Sequence, residues 1–156
     1  MLETRDMLPE DVPACVRIIN HIIAQGGTTA HEDRFTEDLF EGQYRLGPPV
    51  RSVVLSEGRV VGFQVAFLDT PGHYSIGSFT DRENPVKGAG YALFEKTLSD
   101  CRKRGGDAIL AKITSDNTGG LIFYDRLGFV DDHVIEKDHM RPDGTRVDRI
   151  VKRFAL

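Results

Sequence analysis

The stretch from residue 50 to residue 80, VRSVVLSEGRVVGFQVAFLDTPGHYSIGSFT, decides the fold class of this chain. A Glu57-Gly58 pair and a Pro71-Gly72 pair interrupt it, and both pairs are typical of tight turns. Between the turns, β-branched and aromatic residues dominate, as they do in strands. The three runs that the turns separate are 50–55, 60–68 and 73–80. We therefore predict three consecutive antiparallel strands.

Two helices are predicted before these strands. The first begins at Pro9-Glu10-Asp11, a favourable first turn, and ends at Gly26-Gly27. Its apolar residues recur at helical spacing: Val12, Cys15, Val16, Ile19, Ile22 and Ile23. The second helix is shorter, with Thr36 as the expected N-cap and Phe40 near its end.

The helical pattern returns after Gly88-Ala89-Gly90 and ends at Gly105-Gly106. The elements expected beyond it are a strand at 108–113, a helix at 121–127 and strands at 129–140 and 146–155. A short strand near residues 2–7 opens the chain. The order predicts an α+β layered sandwich, a single domain over 1–156 whose mixed, mostly antiparallel sheet has about seven strands and about four helices.

The composition is that of an ordinary globular domain, with 40% hydrophobic and 28% charged residues in 156. Acidic residues outnumber basic ones by 24 to 20, which disfavours nucleic acid as a partner. The apolar runs fall short of the ~20 residues of a membrane span, and the first residues do not resemble a signal segment, so no membrane partner is expected. Cys15 and Cys101 lie in apolar helical patterns, so we expect buried, reduced thiols and a cytoplasmic location.

Lys87-Gly88-Ala89-Gly90 lies between a predicted strand and the longest helix of the second half. Glycines there let a ligand approach the backbone, and the helix N-terminus favours an anion such as phosphate. A plain turn is the competing interpretation. A P-loop would need Ser or Thr after Gly-Lys, and a dinucleotide fingerprint would need a small residue where Leu93 stands, so neither nucleotide motif is present.

A second group of residues lies between Asn117 and Phe129. Asn117 and Tyr124 are seven positions apart, about two helical turns, so both can face one groove. Gly119-Gly120 would let a ligand lie against the first turn. The alternative is structural: Asn at a helix start is commonly a cap, and Tyr within a helix commonly packs in the core.

Taken together, these residues resemble the GNAT superfamily of acetyl-coenzyme A-dependent N-acetyltransferases. The order of helices and strands matches that of the superfamily over nearly the whole chain. Two motifs, the glycine loop and the Asn-to-Tyr-to-Leu-Gly-Phe segment, match it in order and spacing. Within the superfamily, the segment Ile19-Asn20-His21, the run Thr28-Thr29-Ala30 and the Asp143-Gly144 hairpin are most similar to the phosphinothricin acetyltransferase-like branch.

The resemblance implies a role for each matching residue. Residues that would wrap the pyrophosphate of acetyl-CoA are Val86, Lys87, Gly88, Ala89, Gly90 and Tyr91. Residues on the strand that would pair with the pantetheine arm, and aim a backbone N–H at the acetyl carbonyl, are Ser78, Phe79 and Thr80. Asn117 would hold the cofactor, and Tyr124 would protonate the departing thiolate. A phenol with an ordinary pKa near 10 suits that task, since it stays protonated at rest.

Two positions depart from the family pattern. Pro85 stands where the loop usually begins with Arg or Gln, which removes a side-chain donor and a backbone N–H; Lys87 and Arg82 can supply positive charge instead. Ser75 stands where the branch has a glutamate as general base. His73 shares the face of Ser75 and is a candidate replacement, with a water relay through Ser75 or no chemical role for His73 as the alternatives.

The loop before the second helix supplies the candidate acceptor-binding residues Thr28, His31 and Glu32, although a solvated loop would carry the same residues. His133 and His139 share strand parity but lack partners at metal-ligand spacing, so no metal is expected.

The predicted function is transfer of an acetyl group from acetyl-CoA to a primary amine of a small molecule, an amino acid or an analogue being favoured, by direct attack in a ternary complex. The alternatives are a catalytically weakened coenzyme A-binding module and an acetyltransferase for protein N-termini or lysines. The resemblance also implies a homodimer.

Overall fold

The computed structural model describes the whole sequence, residues 1–156. Its strands are β1 (Leu2–Asp6), β2 (Val50–Ser56), β3 (Arg59–Thr70), β4 (His73–Thr80), β5 (Ala108–Thr114), β6 (Val130–Met140) and β7 (Arg146–Ala155). Its helices are α1 (Val12–Gln25), α2 (Glu37–Phe40), α3 (Ala89–Arg104) and α4 (Thr118–Leu127). A 3-10 turn, Pro9–Asp11, precedes α1, and a π-helical turn, Glu41–Arg45, follows α2.

The seven strands form one sheet in the order β1-β2-β3-β4-β5-β7-β6. Every neighbouring pair is antiparallel except β4 and β5, which run parallel. That parallel pairing covers only three positions, His73–Ser75 opposite 108–110. Each of the two strands continues without the other, and β5 stays paired with β7 along its whole length. The sheet therefore splits open after Ser75.

Alternation along the strands puts a core on each face of the sheet. On one face, α1 and α2 pack on Phe63 and Val65 of β3. On the other, α3 packs on Val54 and Val61, and a second cluster joins β4 and β5 to α3 and α4 through Tyr74 and its neighbours. We call these the α1 face and the α3 face.

Most predicted elements are present within a few residues of their expected bounds. Thr36 caps α2 as predicted, its Oγ1 accepting the Leu39 N–H at 3.1 Å. The fourth helix starts three residues earlier than expected, at Thr118, because the side chain of Asn117 accepts the Gly120 N–H and draws both glycines into the first turn.

The π-helical turn after α2 was not predicted, and it places an aromatic side chain in the core. Tyr44 is 4% exposed and stacks on Phe40, with ring centroids 5.2 Å apart. The four-residue spacing of these two rings was the available signal for a longer helix.

Both cysteines are free and fully buried, as predicted. Burial raises the pKa of the Cys15 thiol, and that of Cys101 to about 12, so neither thiol is a thiolate near neutral pH. None of the four helices combines the length and apolar character that crossing a membrane requires.

Candidate functional site

A cavity of about 810 Å³ occupies the split between β4 and β5. It extends from the α3 face to the α1 face of the sheet. The N-termini of α3 and α4 lie on its α3 side, and the loop before α2 lies on its α1 side. The residues to which the sequence analysis gave a catalytic, cofactor-binding or acceptor-binding role and which line the cavity are Thr28, His31, Ser75, Ser78, Phe79, Thr80, Val86, Lys87, Gly88, Ala89, Gly90, Tyr91, Asn117 and Tyr124. Arg82, Gly119 and Gly120 line it as well.

The free edge of β4 supplies backbone hydrogen-bonding groups to this cavity. Just after β4, the Asp81 N–H donates to the Val61 carbonyl of the neighbouring strand at 2.9 Å. Because hydrogen bonding alternates along an antiparallel ladder, Phe79 also points its N–H toward β3, and Ser78 and Thr80 point theirs into the split. An extended ligand arm could pair with these two groups as a strand would.

The N-terminus of α3 offers unpaired donors at the same cavity. Gly88 is the N-cap with φ +86°, a conformation that favours glycine, and no side chain caps the helix. The backbone N–H groups of Gly90 and Tyr91 make no hydrogen bond within the chain. With the positive end of a 16-residue helix behind them, these donors suit an anion such as a pyrophosphate.

Gly90 also fixes how closely α3 approaches α4. A Cβ at this position would lie 2.8 Å from the Phe123 ring, closer than real contacts allow. The glycine therefore lets the two helix ends converge on one cavity.

The first turn of α4 and its buried tyrosine complete the α3 side. The side-chain oxygen Oδ1 of Asn117 accepts the Gly120 N–H and so caps α4. The side-chain NH₂ group of Asn117 is left to donate to a ligand. Tyr124 is 8% exposed, and its ring packs edge-on against Phe123 and Phe129 at 5.0 and 5.1 Å. Burial raises the pKa of Tyr124, so the phenol keeps its proton at neutral pH.

On the α1 side, His31 lines the cavity in contact with Tyr44. The distance between His31 Nε2 and the Tyr44 hydroxyl oxygen is 2.5 Å. Burial, with a smaller contribution from Arg149, lowers the pKa of His31 below the ordinary imidazole value. The ring is therefore neutral near pH 7.

His73, unlike His31, does not line the cavity. It lies at the start of β4, opposite Ala108, where β4 and β5 are still paired, and its Nδ1 is 3.1 Å from Thr70 Oγ1. The cavity opens two residues further on, so Ser75 lines it and His73 does not.

Glu32 is also turned away from the cavity. Its Oε2 lies 2.6 Å from His139 Nε2 and 3.0 Å from Arg141 Nη1. These contacts draw the carboxylate toward the β6–β7 hairpin. They also give His139 the carboxylate partner that sequence spacing did not reveal, although the structure gathers no group of three or more potential metal ligands there or elsewhere.

Arg141 holds the loop before α2 in place. Its side chain is 6% exposed and donates to the Thr29 carbonyl at 2.6 Å, to Asp116 at 2.7 Å and to Thr114 Oγ1 at 2.9 Å. Arg141 lowers the pKa of the Asp116 carboxyl by its hydrogen bonds. Sequence analysis missed this residue, since nothing local to a Pro-Asp-Gly turn indicates a partner more than a hundred residues away.

The charge lining the cavity is entirely positive. No Asp or Glu lines it, and the basic side chains that do are Arg82, Lys87, Lys112, Arg126 and Arg149. Arg149 lies 3.2 Å from Asp138 through Nε, a contact that is not a hydrogen bond, and its two terminal nitrogens make none within the chain. This guanidinium was also missed, because alternating charges on a C-terminal strand are typical of a solvated face.

Comparison with known proteins gives the same fold. A family model described as the acetyltransferase (GNAT) family matches residues 16–129. No curated protein that was compared matches the chain. The chain is similar to an N-acetyltransferase from Staphylococcus aureus Mu50, with a TM-score of 0.87 and 17% identity, covering 99% of this chain and 98% of that one.

Two further solved structures were determined with acetyl-CoA. A putative acetyltransferase from Salmonella typhimurium, with its cofactor acetyl-CoA, gives a TM-score of 0.88 at 17% identity over 100% of this chain and 94% of that one. A phosphinothricin acetyltransferase from Sinorhizobium meliloti, in complex with AcCoA, gives a TM-score of 0.87 at 18% identity. The match covers 99% of this chain and 88% of that one. At these identities the similarity establishes the fold, which confirms the predicted architecture.

Replacing Arg141 tests whether it holds the loop. In Arg141→Met, Asp116 and the Thr29 carbonyl lose their donor, so we expect the free energy of unfolding to fall by about 3 kcal/mol in urea titrations at pH 7. Amide exchange over residues 27–32 should also accelerate. Because pairing lowers the pKa of Asp116 in the folded state, the difference from wild type should be complete above about pH 4, the ordinary pKa of the carboxyl, and should shrink as the pH falls below it.

The matched control is Arg146→Met, which removes an exposed arginine from the same hairpin and should change the free energy by less than about 0.5 kcal/mol. Equal urea midpoints for Arg141→Met and wild type would contradict the assigned role.

Proposed function

We propose, because this chain belongs to the acetyltransferase (GNAT) family, that it transfers an acetyl group from acetyl-CoA to the primary amine of a small molecule that also carries an anionic group. The amine attacks the thioester directly while both substrates occupy the split between β4 and β5. The observation that carries the proposal is that one cavity has backbone donors on its α3 side and, on its α1 side, a guanidinium whose two terminal nitrogens make no hydrogen bond within the chain.

The α3 side supports acetyl-CoA as the acetyl donor. Gly90 and Tyr91 offer unpaired N–H groups for the pyrophosphate, with Lys87 beside them. The free edge of β4 can pair with the amide-containing pantetheine arm, and the Ser78 N–H is a fixed donor for the acetyl oxygen as negative charge develops there. Pro85 removes one loop donor, and Arg82 at the cavity wall adds a positive charge.

The α1 side supports an acceptor with an anionic group. Arg149 presents two terminal nitrogens without partners, and Lys112 lines the same side although it pairs with Asp69 at 2.7 Å. A carboxylate or phosphinate would satisfy the Arg149 guanidinium with two parallel hydrogen bonds. One solved structure with this fold is named a phosphinothricin acetyltransferase, which agrees with an amino acid or an analogue as acceptor.

Tyr124 is suited to protonate the leaving thiolate. Its phenol lines the cavity below the α4 cap, and burial keeps it protonated. A thiolate of ordinary pKa 8 to 9 is less basic than a phenolate, but a proton donor held at hydrogen-bond distance still stabilises its developing charge.

A coenzyme A-binding module without turnover is the second candidate, and Ser75 favours it, because the branch's glutamate base is absent. The cytoplasmic location and the homodimer stay predictions. For the homodimer, the structure offers the edge strand β6, which exposes Val130, Val134 and Met140.

Acetylation assays on matched amines test the acceptor. We expect turnover with amino acids or phosphinothricin, and a kcat/KM at least roughly 10-fold lower for the same amines without the carboxylate, because one charge-assisted contact is lost. In Arg149→Gln the difference between the matched amines should largely disappear. Equal rates for both amines in wild type would contradict the anionic acceptor, and acetyl-CoA binding without any turnover would favour the binding module.

Tyr124→Phe tests the acid. The substitution keeps the aromatic packing and removes only the hydroxyl, so kcat should fall on the order of 10²-fold while the acetyl-CoA dissociation constant changes little. The matched control is Tyr91→Phe, which removes an exposed hydroxyl at the cavity rim. An unchanged kcat in Tyr124→Phe would assign Tyr124 a packing role only.

A further inference from the structure

We propose that His31, oriented by Tyr44, is the base that takes the proton from the acceptor amine. The inference rests on the acetyltransferase function proposed above, and it assigns the one role that neither the strand residues nor the glycine loop fills. An alkylamine is protonated near neutral pH, and only its neutral form can attack a carbonyl carbon. The reaction therefore needs a group that accepts this proton.

The ring of His31 is held in a defined orientation at the cavity wall. Three aromatic rings surround it, with centroid distances of 5.1 Å to Phe35, 5.8 Å to Tyr44 and 6.5 Å to Phe79. Phe79 lies on β4 directly after Ser78, whose N–H faces the split. The imidazole thus lies on the α1 side close to the strand edge where the acetyl group is proposed to bind.

The hydrogen bonding of His31 leaves one ring nitrogen for the substrate. Nε2 is engaged by the Tyr44 hydroxyl, and Tyr44 is itself buried, which raises the pKa of its phenol and keeps it neutral. The proposal requires that Nε2–H donates to the Tyr44 oxygen, so that Nδ1, which makes no hydrogen bond within the chain, carries the lone pair. The opposite direction, with the Tyr44 O–H donating to Nε2, would leave the proton on Nδ1, so the tautomer is part of the test below.

The surroundings of His31 keep its ring unprotonated at rest, so that a ring nitrogen can accept a proton. Burial, with a smaller contribution from Arg149 of β7, which lines the same cavity, lowers the pKa of the imidazole. Glu32 is the next residue in the chain, but Arg141 and His139 of the β6–β7 hairpin engage its carboxylate. Since no acidic residue lines the cavity, nothing there stabilises the ammonium form of the substrate.

Each proton that moves in the proposed reaction has a donor and an acceptor. The ammonium group gives one proton to Nδ1 of His31, and the nitrogen lone pair forms a bond to the thioester carbon. The C–S bond breaks, and the sulfur takes a proton from Tyr124, which recovers one from the new amide nitrogen. His31 then releases its proton to solvent. The sum is one amide, one thiol and one proton from one ammonium ion and one thioester.

The other candidates for this role are weaker on geometry or chemistry. The hydroxyl of Ser75 lines the cavity but does not accept a proton near neutral pH without a base behind it. His73 shares the strand face of Ser75 but lies outside the cavity.

His31→Gln is the decisive variant, because the glutamine amide can keep a hydrogen bond to Tyr44 but cannot take a proton. The substrate for this test is an amine that the wild-type protein acetylates in the assays described above. For wild type we expect kcat/KM to reach a plateau at a pH below about 7. For His31→Gln we expect a loss on the order of 10²-fold at pH 7, a rate that climbs up to pH 9, and an unchanged acetyl-CoA dissociation constant.

Two further histidine variants serve as controls. His21→Gln changes a histidine of α1 outside the cavity and should keep the wild-type profile. His73→Gln tests the rival base. The assignment would be overturned if His73→Gln removed the fall of kcat/KM at low pH that wild type shows, or if His31→Gln kept that fall. If wild type turns over no amine, the proposed function fails and this inference fails with it.

A measurement without turnover keeps the proposal testable if His31→Gln does not fold. In ¹⁵N spectra of the wild-type imidazoles, His31 should titrate below pH 6.5 and carry its proton on Nε2 at pH 7. A charged His31 at pH 7, or a proton on Nδ1, would overturn the proposal.

Discussion

The separation of β4 from β5 is the constraint on which the rest of this structure depends. Three paired positions hold the strands together, and beyond Ser75 each strand keeps a single partner. Unpaired backbone groups at a sheet edge are costly to leave without partners, so the split requires a ligand or water to satisfy them. The N-termini of α3 and α4 converge on that split, which Gly90 permits, and they favour an anionic ligand there.

On the α1 side of the split, charged side chains line the cavity, whereas backbone N–H groups line the α3 side. Arg141 holds the loop that carries Thr28 and His31, and it also engages the carboxylate of Glu32, which does not line the cavity. The lining is left with cations and a neutral imidazole. Positive charge in the lining favours an anionic group and disfavours an ammonium ion, which is the charge pattern that the proposed acceptor, an amine that carries a carboxylate, requires.

Local patterns predicted much of this molecule. Turn pairs and β-branched runs identified the strand meander, and the glycine loop and the Asn117-to-Tyr124 spacing identified residues that line the cavity. The acceptor side was less predictable, because its contacts join distant segments: His31 with Tyr44, Glu32 with His139, Arg141 with the loop. His73 was placed with Ser75 by strand parity alone, which cannot show where two parallel strands stop pairing.

Amide hydrogen exchange with and without acetyl-CoA tests the central claim most directly. In the free protein the amides of Ser78, Thr80, Gly90 and Tyr91 have no hydrogen-bond acceptor in the chain and should exchange quickly, whereas Phe79, bonded to β3, should exchange slowly. Saturating acetyl-CoA should slow the first four and leave Phe79 unchanged. Unaltered exchange at Ser78 and Thr80 under saturation would contradict the account, because the split between β4 and β5 would then not be the binding site.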